Sequence, residues 1–185
     1  MKHLGTSTIK TPRLVLRRFT IEDAEAMYSN WASSPEVTKF LKWPPHKDVS
    51  VTEDILSEWI SRYVNPDFYQ WVITFSGEDM PIGTIACVGQ NDEVGMLHIG
   101  YCIGQKWWNT GVTSEALKAV IGYLFDTVGA NRIEAVHDPN NPNSGKVMLK
   151  CGMKYEGTMR KADVNNQGIC DACMYSILRE EYNGS

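Results

Sequence analysis

The chain has 185 residues, 43% hydrophobic and 10% aromatic, enough for one domain with a sizeable core. A formal net charge of −4 argues against a dedicated nucleic-acid binder, whose surface is basic, and is compatible with a cationic acceptor such as an amine. No apolar run is long enough to cross a membrane, MKHLGTSTIK lacks the apolar segment of a secretory signal, and five scattered cysteines fit reduced thiols, so the expected location is cytoplasmic.

No repeat or linker divides the chain. TPRLVLRRF opens with a turn and then alternates Leu14 and Leu16 against Arg13, Val15 and Arg17, as a strand does. In TIEDAEAMYSNW, Thr20 and Asp23 form a capping box, and Ala24, Met27, Tyr28 and Trp31 follow at helical spacing. Pro35, Pro44 and Pro45 mark a loop. Ser50 with Glu53 predicts a second capping box ahead of the stripe Ile55, Leu56, Trp59, Ile60 and Tyr63.

The period then changes. YQWVITF (69–75), PIGTIACV (81–88) and VGMLHIGYCIG (94–104), parted by short polar breaks, predict an antiparallel meander. Leu117, Val120, Ile121, Leu124, Phe125 and Val128 share a helix face that Gly129 closes. RIEAVH (132–137) is a strand, DPNNPN a loop, and SGKVMLKC a short helix stopped by Gly152. MKYEGTMR and ACMYSIL flank the turn NNQG, and Gly184 and Ser185 read either as a native tail or as an added remnant. The order β-α-α-β-β-β-α-β-α-β-β predicts an α/β or α+β layer architecture with a mixed sheet.

The crossing from Gly104 to the helix at Val112 carries the chemistry. A helix begins with about four N–H groups that lack intrahelical partners, at the positive end of its dipole. A strand delivering the chain there through a tight loop gathers those donors around an anion such as phosphate. The P-loop and dinucleotide patterns do not fit, because the lysine of one and the three glycines of the other are missing.

Gln105-x-x-x-x-x-Gly111 ahead of Ser114-Glu115-Ala116, preceded by His98-Ile99-Gly100-Tyr101, resembles the acyl-CoA pyrophosphate loop of the GNAT acetyltransferases. The surrounding chain is most similar to their ribosomal-protein N-terminal acetyltransferase branch. The likeness runs over residues 11–182 and takes in TPRLVLRRF, the WPPH turn, Asn141-Pro142-Asn143-Ser144 and the run Lys150-Cys151-Gly152-Met153-Lys154-Tyr155-Glu156-Gly157. It implies one GNAT domain over 1–185, with helices on both faces of a mostly antiparallel sheet whose splayed central strands form an acyl-CoA cleft. It also implies acetyl-CoA as co-substrate, an amine acceptor and no metal. By the same resemblance, the cofactor-binding residues are Tyr101, Cys102, Ile103, Gln105, Lys106, Trp108, Asn109, Thr110, Gly111, Val112, Thr113, Asn141 and Ser144. The family loop usually reads Gly-Lys-Gly-Tyr-Ala, where this chain has Asn109-Thr110-Gly111-Val112-Thr113. Asparagine tolerates the left-handed backbone the first glycine would adopt, so the turn is expected to survive.

The resemblance implies direct transfer, with oxyanion donors from the backbone around Tyr101 and Ile103. His98 stands where the family often has a glutamate base; otherwise it is a half-buried, inert strand residue. Met148 replaces the tyrosine acid of many members, and the ribosomal branch's serine acid maps onto Ser144, which could equally cap the helix ending near Cys151. Asn141 maps onto the asparagine that orients the pantetheine arm. Trp107 and Trp108 either wall the cleft or pack in the core, and Lys106, Lys146 and Lys150 either meet phosphates or are solvated. Glu115 complements the helix dipole. The pair Cys170 and Cys173 points to opposite faces of a strand, a poor geometry for metal or redox work. Acceptor contacts are expected at Trp43-Pro44-Pro45-His46 and along the helix from Val51 to Tyr63. Three functions stay open: acetylation of a protein or peptide amino terminus, acetylation of a small amine of the polyamine or aminoglycoside kind, and CoA binding without catalysis. Monomer and homodimer are equally open.

Overall fold

The computed structural model describes residues 1–182; Gly184 and Ser185, left open above, lie outside them. Eight strands form one sheet: β1 (Ile9–Lys10), β2 (Leu14–Arg17), β3 (Gln70–Phe75), β4 (Glu78–Asn91), β5 (Met96–Ile103), β6 (Arg132–His137), β7 (Lys154–Asn165) and β8 (Gly168–Leu178). Their order is β1-β2-β3-β4-β5-β6-β8-β7. The predicted meander is β3-β4-β5, and every neighbouring pair is antiparallel except β5 and β6.

Helices cover both faces. On one lie α4 (Val112–Tyr123), which continues into a π-helical turn over Leu124–Val128, and α5 (Pro142–Lys150). Leu117, Val120, Leu124 and Phe125 pack there against Leu14, Leu16, Leu97 and Ile133, all fully buried. Each such side chain contributes roughly 1.5–3 kcal/mol of transfer free energy. On the other face lie α1 (Ala24–Met27), a π-helical turn over Tyr28–Ala32, α2 (Pro35–Thr38) and α3 (Val49–Arg62). There Phe19, Met27, Trp31 and Leu56 pack with Val72, and Cys102 of β5 joins them.

Several local expectations need correction. The Ser50–Glu53 capping box is not formed. Asp48 is the cap, accepting from both the N–H (3.0 Å) and the hydroxyl (2.5 Å) of Ser50, so Ser50 lies inside the first turn. The Thr20 N–H does donate to Asp23 (2.9 Å), but Asp23 also receives two Arg17 N–H bonds, and the helix behind it is broken into 3-10, α and π turns. The proline loop contains α2, because Pro35 suits a first helical position and Ser34 caps it. The sheet begins before residue 11. β1 extends the sheet, and the Thr6 hydroxyl and Ser7 carbonyl tie to Phe68 and Trp71. α5 starts at Pro142, with Asn141 and not Ser144 at the cap position.

Candidate active site at the strand-helix junction

β5 and β6 pair only through Met96–Arg132, Leu97–Ile133 and His98–Glu134, and then part. The cause lies on the opposite neighbour. Val88 is an extra residue of β4 between the pairs Cys87–Ile99 and Gly89–His98, and such a bulge bends and twists the ladder where it sits. Gly100 permits this, since a Cβ there would come within 3.1 Å of the Val88 side chain. Beyond His98, β5 stays bonded to β4 alone. The Gly104 N–H donates to Ile82 of β4, so strand alternation aims the N–H groups of Tyr101 and Ile103 at the gap. The Ile103 carbonyl on that side accepts from the Trp108 indole at 2.9 Å. Trp108 is therefore at the cleft and 42% exposed, whereas Trp107 packs against the core. The Cys102 side chain points to the α1–α3 face, and burial pushes its thiol up to about 12.

The chain leaves β5 through a 3-10 turn at Gln105–Trp107, where Gln105 and Lys106 are exposed. Asn109 takes a left-handed backbone (φ 62), as expected for a residue standing in for glycine, and Gly111 does the same (φ 81) as the residue before α4. The Thr110 hydroxyl closes the loop on the Trp107 carbonyl. The first bond of α4 runs from the Glu115 N–H to Gly111, and no side chain caps the helix. Among the described residues, the N–H groups of Gly111, Val112, Thr113 and Ser114 have no partner within the chain. Donors gathered this way at a helix start suit a phosphate-like anion.

Two residues distant in sequence frame this loop. Glu115 accepts from the Thr11 hydroxyl (2.6 Å), the Arg13 N–H (3.0 Å) and Arg13 Nε (2.6 Å). Burial opposes its ionisation, but those hydrogen bonds outweigh burial and lower its pKa. Arg13 also donates to the Thr110 carbonyl, and its other terminal nitrogen lies 3.5 Å from where a Gly111 Cβ would be. The sequence offered no local signal for Arg13.

On the α5 side, the Tyr101 phenol crosses to the first turn of α5, 3.0 Å from the Ser144 hydroxyl and 3.1 Å from its carbonyl. Burial raises the Tyr101 pKa. Ser144 is thus bonded inside the helix start and is not the cap. Asn141, at the cap position, makes no side-chain cap bond. Met148 is buried in the core. Lys146 and Lys150 are exposed, Lys146 reaching only Asn143 at 3.5 Å.

His98 lies on the other face, 21% exposed, with Nδ1 3.2 Å from Glu134 Oε1. Glu134 Oε2 takes Arg132 Nε (2.9 Å), and Arg132 forms two 2.7 Å bonds to Glu156. Arg132 and then Ser176 hold Glu156 down to about 2. Near this face the WPPH loop is tied to the β7–β8 turn: Asn166 donates to the Thr38 and Trp43 carbonyls, and Lys42 pairs with Asp163 at 2.6 Å. His46 bonds Thr52 of α3, and burial lowers its pKa. An open apolar hollow of about 520 Å³ along Phe19, Ile21, Ser57 and Ile60 contains none of the junction residues. Cys170 contacts Asn165 and Cys173 contacts Thr158, so the two thiols have separate surroundings.

A sheet splayed at its single parallel pair, beside a helix start with unbonded amides, defines the acyl-CoA-dependent transferase class. Residues 13–154 match the acetyltransferase (GNAT) domain, and the chain belongs to this family. It is an acyl-CoA-dependent N-acetyltransferase with acetyl-CoA as co-substrate. It is 33% identical over 177 residues to the uncharacterized N-acetyltransferase p20 of Bacillus licheniformis, covering 96% of this chain and 99% of that one. A GNAT-family acetyltransferase structure from Bacillus anthracis superposes with a TM-score of 0.83 at 28% identity, covering 94% of this chain and 99% of the other. A 60-residue stretch, 32% of this chain and 31% of the relative, is 42% identical to the Escherichia coli [ribosomal protein uS5]-alanine N-acetyltransferase.

Proposed function

We propose that the acceptor is the α-amine of a protein or peptide amino terminus, acetylated by direct attack in a ternary complex. The observation that carries this reading is the base position, where a histidine whose Nε2 is unbonded among the described residues stands at the parting of β5 and β6. A lysine amine (pKa about 10.4) is neutral in only about one molecule in a few thousand at pH 7, whereas an α-amine (about 7.7 to 8.0) is neutral in roughly a tenth. The second needs only a weak base, which an imidazole supplies. The stretch shared with the uS5-alanine enzyme points the same way.

In this reading the amides of Gly111, Val112, Thr113 and Ser114 hold the diphosphate of acetyl-CoA. Thr110, Asn109 and Trp108 shape the turn, and Gln105 and Lys106 border it. The Asn141 side chain orients the pantetheine arm. When bound, acetyl-CoA supplies an activated acetyl thioester. The N–H groups of Tyr101 and Ile103 stabilise negative charge developing on the carbonyl oxygen. The new N–C bond forms as the C–S bond breaks. His98 Nε2 takes the amine proton, directly or through one water, and the Ser144 hydroxyl, held by Tyr101, supplies a proton to the departing sulfur.

The test is a panel of peptides with free amino termini, N-blocked lysine peptides, polyamines and aminoglycosides, with CoA release and product mass read together. Acetylation confined to α-amines supports the reading. Transfer mainly to small amines replaces the acceptor, and CoA binding without transfer to any amine overturns catalysis.

A further inference from the structure

Of the two nitrogens of His98, one is bonded. Nδ1 meets the carboxylate of Glu134 across the last residue pair of the β5–β6 ladder, while Nε2 has no partner among the described residues. A carboxylate only accepts, so the neutral ring must carry its proton on Nδ1 and keep its lone pair on Nε2. Neutral histidine in water prefers the opposite tautomer. The chain therefore selects, at this one position, the form that presents a basic nitrogen away from its partner.

Glu134 is itself held on its other oxygen. Arg132 Nε donates to Oε2 at 2.9 Å, and the remaining edge of the same guanidinium grips Glu156 through two 2.7 Å bonds. Glu156 also accepts from the Ser176 hydroxyl at 2.5 Å. Arg132, Glu134, Glu156 and Ser176 come from β6, β7 and β8, so three strands fix the direction of one carboxylate. A surface ion pair placed for stability alone is worth little and needs no such bracing. At catalytic sites, a carboxylate that sets the tautomer and orientation of a histidine base is a recurring device.

We propose that Glu134 is a positioning residue for the acetyl transfer: it fixes His98 as the Nδ1–H tautomer and so readies Nε2 to take the proton of the attacking amine. The inference rests on the transfer reading above and adds the residue that makes a histidine serviceable at a position the family often gives to glutamate. His98 would touch the amine or its relaying water; Glu134 acts only through the ring.

Two measurements test it. The side-chain ¹⁵N shifts of His98 in the wild-type chain, above the titration of the ring, should report a protonated Nδ1 and an unprotonated Nε2; the opposite tautomer overturns the proposal without any variant. A double-mutant cycle of Glu134→Gln and His98→Ala follows, using an amine that the wild type acetylates. Glu134→Gln should lower kcat about five- to twentyfold and leave KM for acetyl-CoA within about twofold, yet cause no further loss once His98 is alanine. Equal losses in both backgrounds mean Glu134 is only structural and overturn the role. A wild-type chain that binds acetyl-CoA but transfers to no amine overturns the transfer reading, and this role with it. Transfer with additive losses overturns this role alone.

Discussion

The Tyr101 phenol lies 3.0 Å from the Ser144 hydroxyl, joining the strand that leaves its parallel neighbour to the first turn of α5. The two side chains come together only because β5 and β6 part and α5 begins at Pro142, two residues earlier than the sequence predicts. Burial raises the Tyr101 pKa, so the phenol stays protonated and can donate to Ser144; in the proposed mechanism it holds the Ser144 hydroxyl. Ser144→Ala is expected to lower kcat at least tenfold, and Tyr101→Phe about three- to tenfold, with the double variant no worse than Ser144→Ala. Steady-state kinetics at saturating acetyl-CoA checks this; additive losses would separate the two roles.

Asn109 carries the left-handed turn that glycine would otherwise make. Asn109→Gly should therefore keep CoA affinity within about twofold. Asn109→Val, a β-branched residue at φ 62, should cost about 1–2 kcal/mol of stability and weaken CoA binding severalfold. Calorimetric titration with CoA and thermal melts read the two effects separately.

Arg13 braces Glu115 and the Thr110 carbonyl at the edge of the same turn. Removing it leaves a carboxylate beside the proposed diphosphate site without its neutralising partner. Arg13→Ala should weaken CoA three- to tenfold, most at low ionic strength, whereas Arg13→Lys should recover only part of the loss because the forked geometry is gone. Titrations at low and high salt measure it.

The fold was legible in the chain because each period was strong. β-rich runs between short polar breaks announced β3, β4 and β5, and the apolar stripe from Leu117 to Val128 announced α4. Asn109 and Gly111 announced a tight turn by residue type alone. What stayed hidden depends on contacts between distant segments. Arg13 lies about a hundred residues from the loop it braces, and Glu134 meets His98 only through a parallel crossover register. The Ser50 cap failed because Asp48, two residues earlier, is the stronger acceptor. The resemblance located Ser144 but not its phenol partner, since a tyrosine in a β-rich run reads as packing.

Acid should loosen the β6–β7–β8 region. Arg132 and Ser176 depress the Glu156 pKa to about 2 from an ordinary 4.5. A depressed carboxylate contributes stability that is complete above the unfolded value and is lost as pH falls through the folded one, so the window lies between pH 4.5 and 2. Lowered pKa values at Asp138 and Glu115 act in the same direction. Melting temperature should fall on acidification below pH 4.5, and Glu156→Gln should shallow that fall while lowering stability only slightly at neutral pH, because the Glu156 side chain is exposed.

Amide exchange resolved residue by residue, with and without CoA, tests most directly whether the parted strands and the start of α4 hold the acyl carrier. The amides of Gly111, Val112, Thr113 and Ser114 have no partner among the described residues and should exchange fast alone, then slow at least tenfold with CoA, with Tyr101 and Ile103 slowing alongside them. Saturating CoA that leaves all six unprotected, or protects amides elsewhere instead, would contradict the assignment.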